Sequence, residues 1–361
     1  MATKQPRGNN GTLRRQFLDV GFVHLKAVIE PATIAGFVAQ IQEELESADG
    51  TEKERSVGRV FLHDKSTWPQ GKARRVVECA PVGDGPHWEK LRSSPILKES
   101  LDAIVGPSCW ELEMNVKPTA SNETPIRHWY FPITFPELPV YPKKSSKRSH
   151  EDLEVKNIDL LPRPVCLRSW RDELNEDGPL LDEDKDAPSR WQPVSRRRFR
   201  GKGWHIDSGP GFRNDDIRTS QGHPFQCVVM LLLLSDSESG GGGTCVLPYS
   251  HKLVHNKLIE QKTGMSHHEL NSWCVSEMRR MTDRGELLLV SSGLSTKFSL
   301  GHVPQVIGVA GDVILLHPLL IHSGTTNLRT SMRLMGNGMV RMKKEVYETR
   351  GGMFFMPLTS Q

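Results

Sequence analysis

Residues 311–324 read GDVILLHPLLIHSG, an apolar stretch that begins at a glycine–aspartate turn and ends beside a histidine. The turn and the apolar run that follows it predict a strand over Val313–Ile321. His322 then stands at the end of this strand, where its side chain would face the mouth of a barrel. Ser323–Asn327 would separate this strand from the next one.

Other strands are predicted on both sides of this stretch. Phe225–Leu234 is a continuous apolar run of strand length, bounded by turn residues, and it predicts a fully buried strand. The glycine run Gly240–Gly243 predicts a turn, Thr244–Leu247 resumes extended structure, and Met332–Val340 predicts the last strand. Short strands divided by glycine turns are typical of a barrel or a sandwich. We predict a mainly β fold with flanking helices, namely a double-stranded β-helix barrel of the jelly-roll or cupin type.

The N-terminal part predicts the flanking helices. Gly21–Ile29, GFVHLKAVI, has the β-branched and aromatic content of a strand. Pro31 follows at a position that suits the first turn of a helix. The segments 74–79 and 109–116 alternate weakly, as strands do. The apolar residues after Pro31 recur at helical spacing and predict an amphipathic helix: Ile34, Phe37, Val38, Ile41 and Leu45.

The composition changes between residues 136 and 203. This stretch contains PKKSSKRSHEDLEVK, DELNEDGPLLDEDKDAP and SRRRFRGKG, so it is rich in charge and proline and lacks periodicity. It is also longer than an ordinary loop. We predict a single domain over residues 1–361 that carries a charged, proline-rich insertion at about 136–203.

The composition also limits the class of protein. The hydrophobic content of 37% and the charged fraction of 25% are those of a globular chain, and the formal charge of +4 is too small to indicate nucleic-acid binding by itself. The six cysteines form no CxxC pair and no zinc-finger pattern, which favours a reducing compartment. The N-terminal residues lack the apolar core of a signal peptide, and the longest apolar run, Cys227–Leu234, is too short to span a membrane. We expect an intracellular, cytoplasmic protein without a membrane span, for which nucleic acid is a disfavoured but not an excluded partner.

A candidate metal site begins in Gly203–Gly209, GWHIDSG. In a strand, residues two apart point to the same face, so His205 and Asp207 can present a nitrogen and a carboxylate to one ion. His322 is the candidate third ligand. Two histidines and one carboxylate that leave further positions open on the ion are the arrangement of non-heme Fe(II) oxygenases.

Other histidines compete for these roles. A His-x-Asp pair arises easily by chance, and residues 150–152 form another one inside the charged insertion. His317 lies five residues before His322, so alternation along one strand would put it on the opposite face, and we predict a packed structural histidine. Three further histidines are expected to support a turn or to lie at the surface: His251, His267 and His268.

Arg333 lies eleven residues after His322, on the next predicted strand. A guanidinium is always charged, and inside a barrel it needs an anionic partner because an unpaired buried charge is very costly. The distal carboxylate of 2-oxoglutarate would supply this partner through a bidentate pair. Arg329 is the alternative anchor, but it falls in the turn Thr325–Thr330, where we expect it to be solvated.

The His-x-Asp pair, the distal histidine and the arginine together resemble the pattern of the phytanoyl-CoA dioxygenase family. The resemblance covers the strand and helix near the start of the chain and then Gly203 to about Val340. It implies that His205, Asp207 and His322 bind Fe(II) and that Arg333 binds 2-oxoglutarate, with no catalytic residue beyond the metal ligands. The implied enzyme is a dioxygenase that uses dioxygen to hydroxylate an aliphatic carbon of a small-molecule or acyl substrate, with formation of succinate and CO2. Ascorbate is a candidate reductant.

Three positions depart from that family's pattern. Ile206 stands between the first two ligands, where the family often has Gln, and Tyr249 stands within PYSH, where the family often has Gly. Some members hold 2-oxoglutarate with a serine two residues past the distal histidine, whereas here Ser323 precedes Gly324. These departures concern the co-substrate contacts and the shape of the pocket, and they leave the ligand set intact.

The sequence leaves more than one interpretation open for the substrate and for the type of reaction. The basic stretch Arg196–Lys202 leads directly into the candidate metal segment and is either a solvated charge run or a clamp for an anionic substrate. Trp204 and Phe212 either line a substrate pocket or belong to the core. The alternatives to a hydroxylase are a non-catalytic barrel that binds a ligand, a nucleobase-oxidising member of the same superfamily, and a zinc hydrolase with the same three ligands.

Overall fold

The structure, a computed structural model, describes residues 10–46, 60–68, 76–79, 83, 85–112, 129–136, 204–207, 218–219, 227–238, 241–261, 265–283, 306–325, 327 and 329–349. The insertion predicted at about 136–203 lies outside these residues, apart from residue 136. No helix among them is long and apolar enough to cross a membrane.

Helices predominate in the N-terminal part of the described chain, and strands predominate after it. The helices are α1 (Asn10–Val20), α2 (Pro31–Glu46), α3 (Pro86–Arg92), α4 (Pro95–Ile104), α5 (Ser250–Glu260), α6 (His267–Asp283) and α7 (Lys344–Thr349), with a 3-10 turn at Lys65–Thr67. The strands are β1 (Phe22–Leu25), β2 (Val76–Cys79), β3 (Trp110–Leu112), β4 (Trp129–Thr134), β5 (Arg218–Thr219), β6 (Val228–Leu233), β7 (Thr244–Val246), β8 (Met265–Ser266), β9 (Val313–Leu316), β10 (His322–Gly324) and β11 (Arg333–Met342).

The described strands form one large antiparallel sheet and two small ones. The large sheet has seven strands in the order β1-β9-β6-β11-β4-β2, and β3 pairs with the C-terminal end of β11. β10 pairs with β7 in a second sheet, and β5 pairs with β8 in a third. Every residue of β6 is buried, as its continuous apolar run predicted. The prediction of a mainly β fold with flanking helices is therefore confirmed at the level of antiparallel sheets and helices.

β11 separates two apolar compartments, because successive residues of a strand point to opposite faces. Leu334 and Val340 pack into the main core together with side chains of α1, α2 and α4. Met335 and Met339 pack on the other face, with side chains of β6 and β9. Arg333 lies two residues before Met335 and so shares this second face, which we call the inner face.

Two glycines of β11 allow aromatic rings to lie directly on the strand. A Cβ atom at Gly338 would lie 2.3 Å from the ring of Trp129, and one at Gly336 would lie 2.8 Å from the ring of Phe131. Both rings are fully buried in the main core. Any larger residue at Gly338 would displace Trp129 and with it the contact between the N-terminal helices and the strand that carries Arg333.

The predicted strand Val313–Ile321 is interrupted. β9 belongs to the large sheet, whereas β10 begins only at His322 and pairs with β7. Pro318 has no N–H and cannot continue a ladder inside a sheet. A turn in which the N–H of Leu320 donates to the His317 carbonyl (2.8 Å) carries the chain from one sheet to the other. The prediction of one continuous strand is therefore wrong.

The helix and the strands predicted in the N-terminal part are present in the structure, although the first strand is shorter than predicted. The amphipathic helix is confirmed as α2, which begins at Pro31 as predicted. The strand predicted over Gly21–Ile29 is shorter, because β1 ends at Leu25 and Ala27 has a φ of 51°. The N–H of Ala27 donates instead to a carboxylate oxygen of Asp312 (2.9 Å). The weakly alternating segments contain β2 and β3.

Candidate metal centre

His205 and His322 are joined through their backbones. The N–H of His205 donates to the carbonyl of His322 (3.0 Å), and the N–H of His322 donates to the carbonyl of His205 (2.9 Å). Residues that exchange both bonds stand directly opposite each other in an antiparallel ladder. Their rings lie side by side, with centroids 4.4 Å apart. The main chain therefore fixes the spacing of these two predicted ligands.

Asp207 faces both imidazoles. Its Oδ1 is 3.7 Å from Nε2 of His205, and its Oδ2 is 3.5 Å from Nε2 of His322. One potential ligand atom from each of the three residues lies within 4.8 Å of the other two. His322 is buried, whereas His205 and Asp207 are partly exposed, so the group is accessible from one side. Two nitrogens and a carboxylate oxygen can therefore reach a single metal ion.

The tautomer of His322 suits a metal ligand. Its Nδ1–H donates to the carbonyl of Leu320 (2.9 Å), which leaves the lone pair on Nε2, the atom that faces Asp207. Burial alone would lower the pKa of His322, but the Asp207 carboxylate and the Leu320 carbonyl favour the protonated ring, and the pKa lies above its ordinary value. A backbone carbonyl on the second ring nitrogen is the usual way in which proteins orient a ligating histidine.

The residues beside the predicted ligands anchor this segment in a second core. Trp204 and Ile206 are buried with side chains of α5 and α6, while His205 and Asp207 lie on the opposite side. This alternation agrees with the prediction that the His-x-Asp residues share a face, although only His205 makes a strand-like bridge. The N–H of Ile206 donates to Oδ1 of Asn271 in α6 (3.0 Å). Trp204 thus belongs to the core, which was one of its two predicted roles.

Arg333 is the first residue of β11 and is only 5% exposed. Its Nη2 donates to Oγ1 of Thr134 in β4 (2.8 Å), and its Nη1 contacts the sulfur of Met335 (3.1 Å). Both of these groups are uncharged. The guanidinium therefore lies inside the fold, on the inner face, and its role as an anchor stays a prediction.

Arg329 occupies a different environment. It lies in the turn before β11, its side chain is 25% exposed, and Nε is 3.8 Å from a carboxylate oxygen of Glu238. Its backbone N–H donates to Oδ1 of Asn327 (2.9 Å). Arg329 is thus partly solvated, as predicted, and it forms an ion pair at the edge of the turn.

His317 is a packed structural histidine, as predicted, but for a different reason. The strand is broken after β9, so strand alternation does not set its direction. Nδ1 of His317 accepts the N–H of Leu319 (3.1 Å), and the ring lies 4.7 Å from that of His251. His251 in turn donates from Nε2 to the carbonyl of Leu18 (2.8 Å), so it ties α5 to α1.

Burial keeps this histidine pair uncharged. Desolvation lowers the pKa of His251 to about 4. Desolvation, together with the neighbouring His251, lowers the pKa of His317 well below its ordinary value. Both rings are therefore neutral near pH 7. Neither belongs to the described group of His205, Asp207 and His322, whose ligand atoms lie within reach of one ion.

The structure describes the surroundings of two of the positions that depart from the family pattern. Tyr249 has a φ of 68°, in the left-handed region that favours glycine. A Cβ atom at Gly324 would meet no other described atom within 4 Å, and the residue is exposed. Gly324 lies two residues after His322 on β10, so the open space is on the side of the predicted ligand.

Some predicted residues are not described, and some contributing residues were not predicted. The pair at 150–152, the basic stretch 196–202 and Phe212 lie outside the described residues. His268 is exposed, as expected, and nothing is described of the His267 side chain. Sequence reasoning missed Asn271 and Thr134. No motif marks either of them, because each is a single polar residue in an ordinary helix or strand.

Comparison with known proteins gives one family match. A family profile described as "Phytanoyl-CoA dioxygenase (PhyH)" matches residues 143–335, which is more than half of the chain. The match includes all four residues that the sequence singled out. No curated protein matches the sequence.

Solved structures of low sequence identity also match. The non-heme alpha ketoglutarate dependent carbocyclase SnoK from nogalamycin biosynthesis is 13% identical, with a TM-score of 0.43 over 94% of this chain and 85% of that one. AviO1 from Streptomyces viridochromogenes Tue57 is 13% identical, with a TM-score of 0.42 over 94% and 97%. HygX from Streptomyces hygroscopicus, solved with nickel and 2-oxoglutarate bound, is 14% identical, with a TM-score of 0.38 over 95% and 88%.

Proposed function

The chain belongs to the phytanoyl-CoA dioxygenase family, and from this premise we propose that it is an Fe(II)- and 2-oxoglutarate-dependent dioxygenase. The proposed reaction is the hydroxylation of an aliphatic carbon of a small-molecule or acyl substrate. The observation that carries the proposal is the convergence of His205, Asp207 and His322 on one point. The substrate class rests on the family alone.

The donor set fits a ferrous ion. Two imidazole nitrogens and one carboxylate oxygen, approaching from one side, leave further coordination positions for a co-substrate and dioxygen. His322 would bind through Nε2, since its Nδ1–H donates a hydrogen bond to the carbonyl of Leu320. His205 would bind through the same atom, the one nearest to Asp207. When bound, the ion with 2-oxoglutarate and dioxygen supplies the oxidising power, and 2-oxoglutarate leaves as succinate and CO2.

Arg333 and Thr134 would hold the distal carboxylate of 2-oxoglutarate. The planar guanidinium can pair with a carboxylate through two N–H groups. The hydroxyl of Thr134 is already within hydrogen-bond distance of Nη2, so both groups can reach one carboxylate. Thr134 would thereby supply the hydroxyl that some family members take from a serine at the position of Gly324.

The strand pairings support a double-stranded β-helix as the complete fold. His205 bridges to β10, β10 pairs with β7, and the N–H of Val306 donates to the carbonyl of Thr244 in β7 (2.7 Å). We propose that the segments around His205 and Val306 are the outer strands of a minor sheet. Its inward-facing Val246 shares a cluster with Met335 of the large sheet. In this arrangement the whole chain is one domain, with the insertion leading into the metal-binding segment.

Anaerobic titration of the apoprotein with Fe(II), with and without 2-oxoglutarate, tests the proposal. We expect the charge-transfer absorbance of the Fe(II)–2-oxoglutarate complex in the unaltered protein. We also expect most Fe(II) binding to be lost in His205→Ala, Asp207→Ala and His322→Ala, because two remaining ligands hold a labile ion weakly. His268→Ala is the exposed control and should bind normally. His317→Ala tests the choice of the distal histidine, and loss of iron binding there would mean that the choice is wrong.

Turnover distinguishes a dioxygenase from the other functions considered. With a panel of acyl and other small-molecule substrates, succinate should form only when dioxygen and an accepted substrate are both present. A zinc hydrolase would act without dioxygen and without 2-oxoglutarate. A ligand-binding barrel would form no succinate with any substrate.

A further inference from the structure

The side chain of Asn271 in α6 accepts a hydrogen bond from the segment that carries His205 and Asp207, on the side away from β10. The backbone of His205 is fully used by its reciprocal bonds with His322. In an antiparallel pair the N–H groups of successive residues point to opposite edges, so the N–H of Ile206 points away from β10. None of the described strands pairs with that edge. Oδ1 of Asn271 lies there, 3.0 Å from the Ile206 nitrogen, and accepts this bond.

Asn271 belongs to the first part of α6, and the start of this helix is capped. The N–H of Glu269 donates to Oγ of Ser266 (3.2 Å), and the N–H of Ser266 donates to Oε2 of Glu269 (2.8 Å). This reciprocal pair is a capping box, which satisfies two donors at the start of a helix. Asn271 follows one turn later, beside Leu270, which is fully buried.

The same helix face holds the side chain of Ile206. Ile206 is fully buried in the second core, in one cluster with Leu270 and Cys274 of α6. Ile206, the residue between the predicted ligands, therefore makes two kinds of contact with α6. Its side chain packs against the helix, and its backbone N–H donates a hydrogen bond to Asn271. The apolar contact can tolerate small rotations of the segment, whereas a hydrogen bond weakens steeply with angle and distance.

We infer that Asn271 is a positioning residue of the metal centre, which fixes the backbone between His205 and Asp207 so that the Asp207 carboxylate faces both imidazoles. This inference rests on the proposed function. Asn271 is not one of the three candidate ligands, and it would act on them through Ile206. Without this acceptor, the peptide between the two ligands would keep the His322 pair on one side and the apolar packing of Ile206 on the other, but it would lose the hydrogen bond that fixes its N–H. The Asp207 carboxylate is the ligand that would lose its alignment, because His205 keeps its two backbone bonds.

Metal affinity tests this role separately from activity. Apoprotein is titrated with Mn(II) and with Co(II), and Kd is measured by calorimetry together with the visible absorption of bound Co(II). Loss of a group that orients a ligand costs roughly 10- to 100-fold in metal affinity. We expect Kd to rise by about tenfold or more in Asn271→Ala, with an altered Co(II) spectrum. Asn271→Asp keeps an oxygen that can accept the Ile206 N–H, so it should bind more tightly than Asn271→Ala and show the Co(II) spectrum of the unaltered protein.

Matched variants separate this role from a general contribution to stability. Asn256→Ala makes the same change at an exposed position of α5 and should leave Kd and the spectrum unchanged. Asn271→Ser is polar but too short to reach the Ile206 nitrogen, so it replaces the alanine variant if that variant does not fold. Unchanged Kd and spectrum in folded Asn271→Ala or Asn271→Ser would overturn the inference, even if thermal stability falls.

The control for the proposed function is His322→Ala. If it abolishes metal binding and Asn271→Ala weakens it, both ideas are supported. If His322→Ala abolishes binding and Asn271→Ala leaves it intact, the positioning role is wrong and the metal site stands. If the unaltered protein binds neither ion, the proposed function fails and the positioning role fails with it.

Discussion

Nε2 of His322 lies 3.5 Å from Oδ2 of Asp207, and Nδ1 of the same ring is bonded to the Leu320 carbonyl. Both neighbours favour the protonated ring and outweigh the effect of burial, so the pKa of His322 lies above its ordinary value. The atom that would bind a metal ion is therefore also the atom at which the metal-free ring takes up its second proton.

The first prediction concerns the pH dependence of metal binding. Because a proton and a metal ion compete for Nε2 of His322, affinity for Co(II) should fall as the pH decreases through the pKa of this residue. The pKa is raised, so the decline should begin above about pH 6.5, the ordinary value for histidine. Once the ring is protonated, the loss should approach about tenfold per pH unit.

Calorimetry in two buffers with different ionisation enthalpies measures the protons released on Co(II) binding. Release should increase as the pH is lowered from about 8 to about 6. Affinity and proton release that stay constant over this range would show that the bound ion does not displace a proton from His322.

The second prediction concerns Arg333. Removing one partner of a buried charged pair costs about 2–5 kcal/mol, which is roughly a 30-fold to several-thousand-fold loss of affinity. Arg333→Ala should therefore weaken 2-oxoglutarate binding steeply and leave Fe(II) affinity nearly unchanged. Arg333→Lys should recover only part of the loss, because an ammonium cannot make the two-pronged contact.

Anaerobic titration with 2-oxoglutarate, followed by its charge-transfer absorbance with Fe(II), measures this effect. Arg329→Ala is the matched control and should bind normally, since Arg329 pairs with Glu238 at the edge of a turn. If Arg329→Ala is the variant that loses 2-oxoglutarate, the anchor has been assigned to the wrong arginine.

The third prediction concerns stability in acid. His251 and His317 have lowered pKa values in the folded state, about 4 for His251, against about 6.5 in an unfolded chain. The unfolded chain therefore binds more protons between these values, and the stabilisation present above about pH 6.5 is lost as the pH falls. Each histidine contributes a slope of up to about 1.4 kcal/mol per pH unit.

Urea unfolding between about pH 7 and 5 measures this slope. His251→Gln keeps a donor for the Leu18 carbonyl but cannot take up the proton, so it should show a shallower dependence than the unaltered protein. His268→Gln is the exposed control and should keep the original slope. An identical slope in His251→Gln would mean that His251 is not the group that titrates on unfolding.

The fourth prediction concerns the backbone at Tyr249. A non-glycine residue in the left-handed region costs roughly 1–2 kcal/mol. Tyr249→Gly should therefore be more stable than Tyr249→Ala by about 1 kcal/mol, since both variants lack the ring and only one keeps the strain. Chemical denaturation of the two variants provides the comparison. Equal stabilities would show that residue 249 does not hold this conformation in solution.

The sequence predicted those features that depend on a local pattern. Helix α2 and strand β6 follow from apolar periodicity and from run length, and the burial of Arg333 follows from its place on an apolar strand. Pro318 was the signal that the stretch before His322 could not be one strand, because a residue without an N–H does not fit inside a sheet. The sequence does not indicate the partner of the segment after this proline, because β10 pairs with β7, about 75 residues earlier in the chain.

Features that depend on distant contacts had no such signal. Asn271 and Thr134 each meet a residue far away in the sequence, Ile206 and Arg333 respectively, through one hydrogen bond. A lone Asn in a polar helix and a lone Thr in a strand have many ordinary roles. Only the three-dimensional arrangement selects these residues from the others of their type.

The backbone pair between His205 and His322 also constrains the order of folding. Five described strands, β5 to β9, lie between the two residues, so the pair is a long-range contact, and closing this loop is offset only when the intervening strands have already paired. A chain still emerging from the ribosome, or one truncated before β10, cannot bring both histidines to Asp207. Uptake of a metal ion at this centre would therefore report that the chain has been synthesised through β10 and that β10 has met the His205 segment.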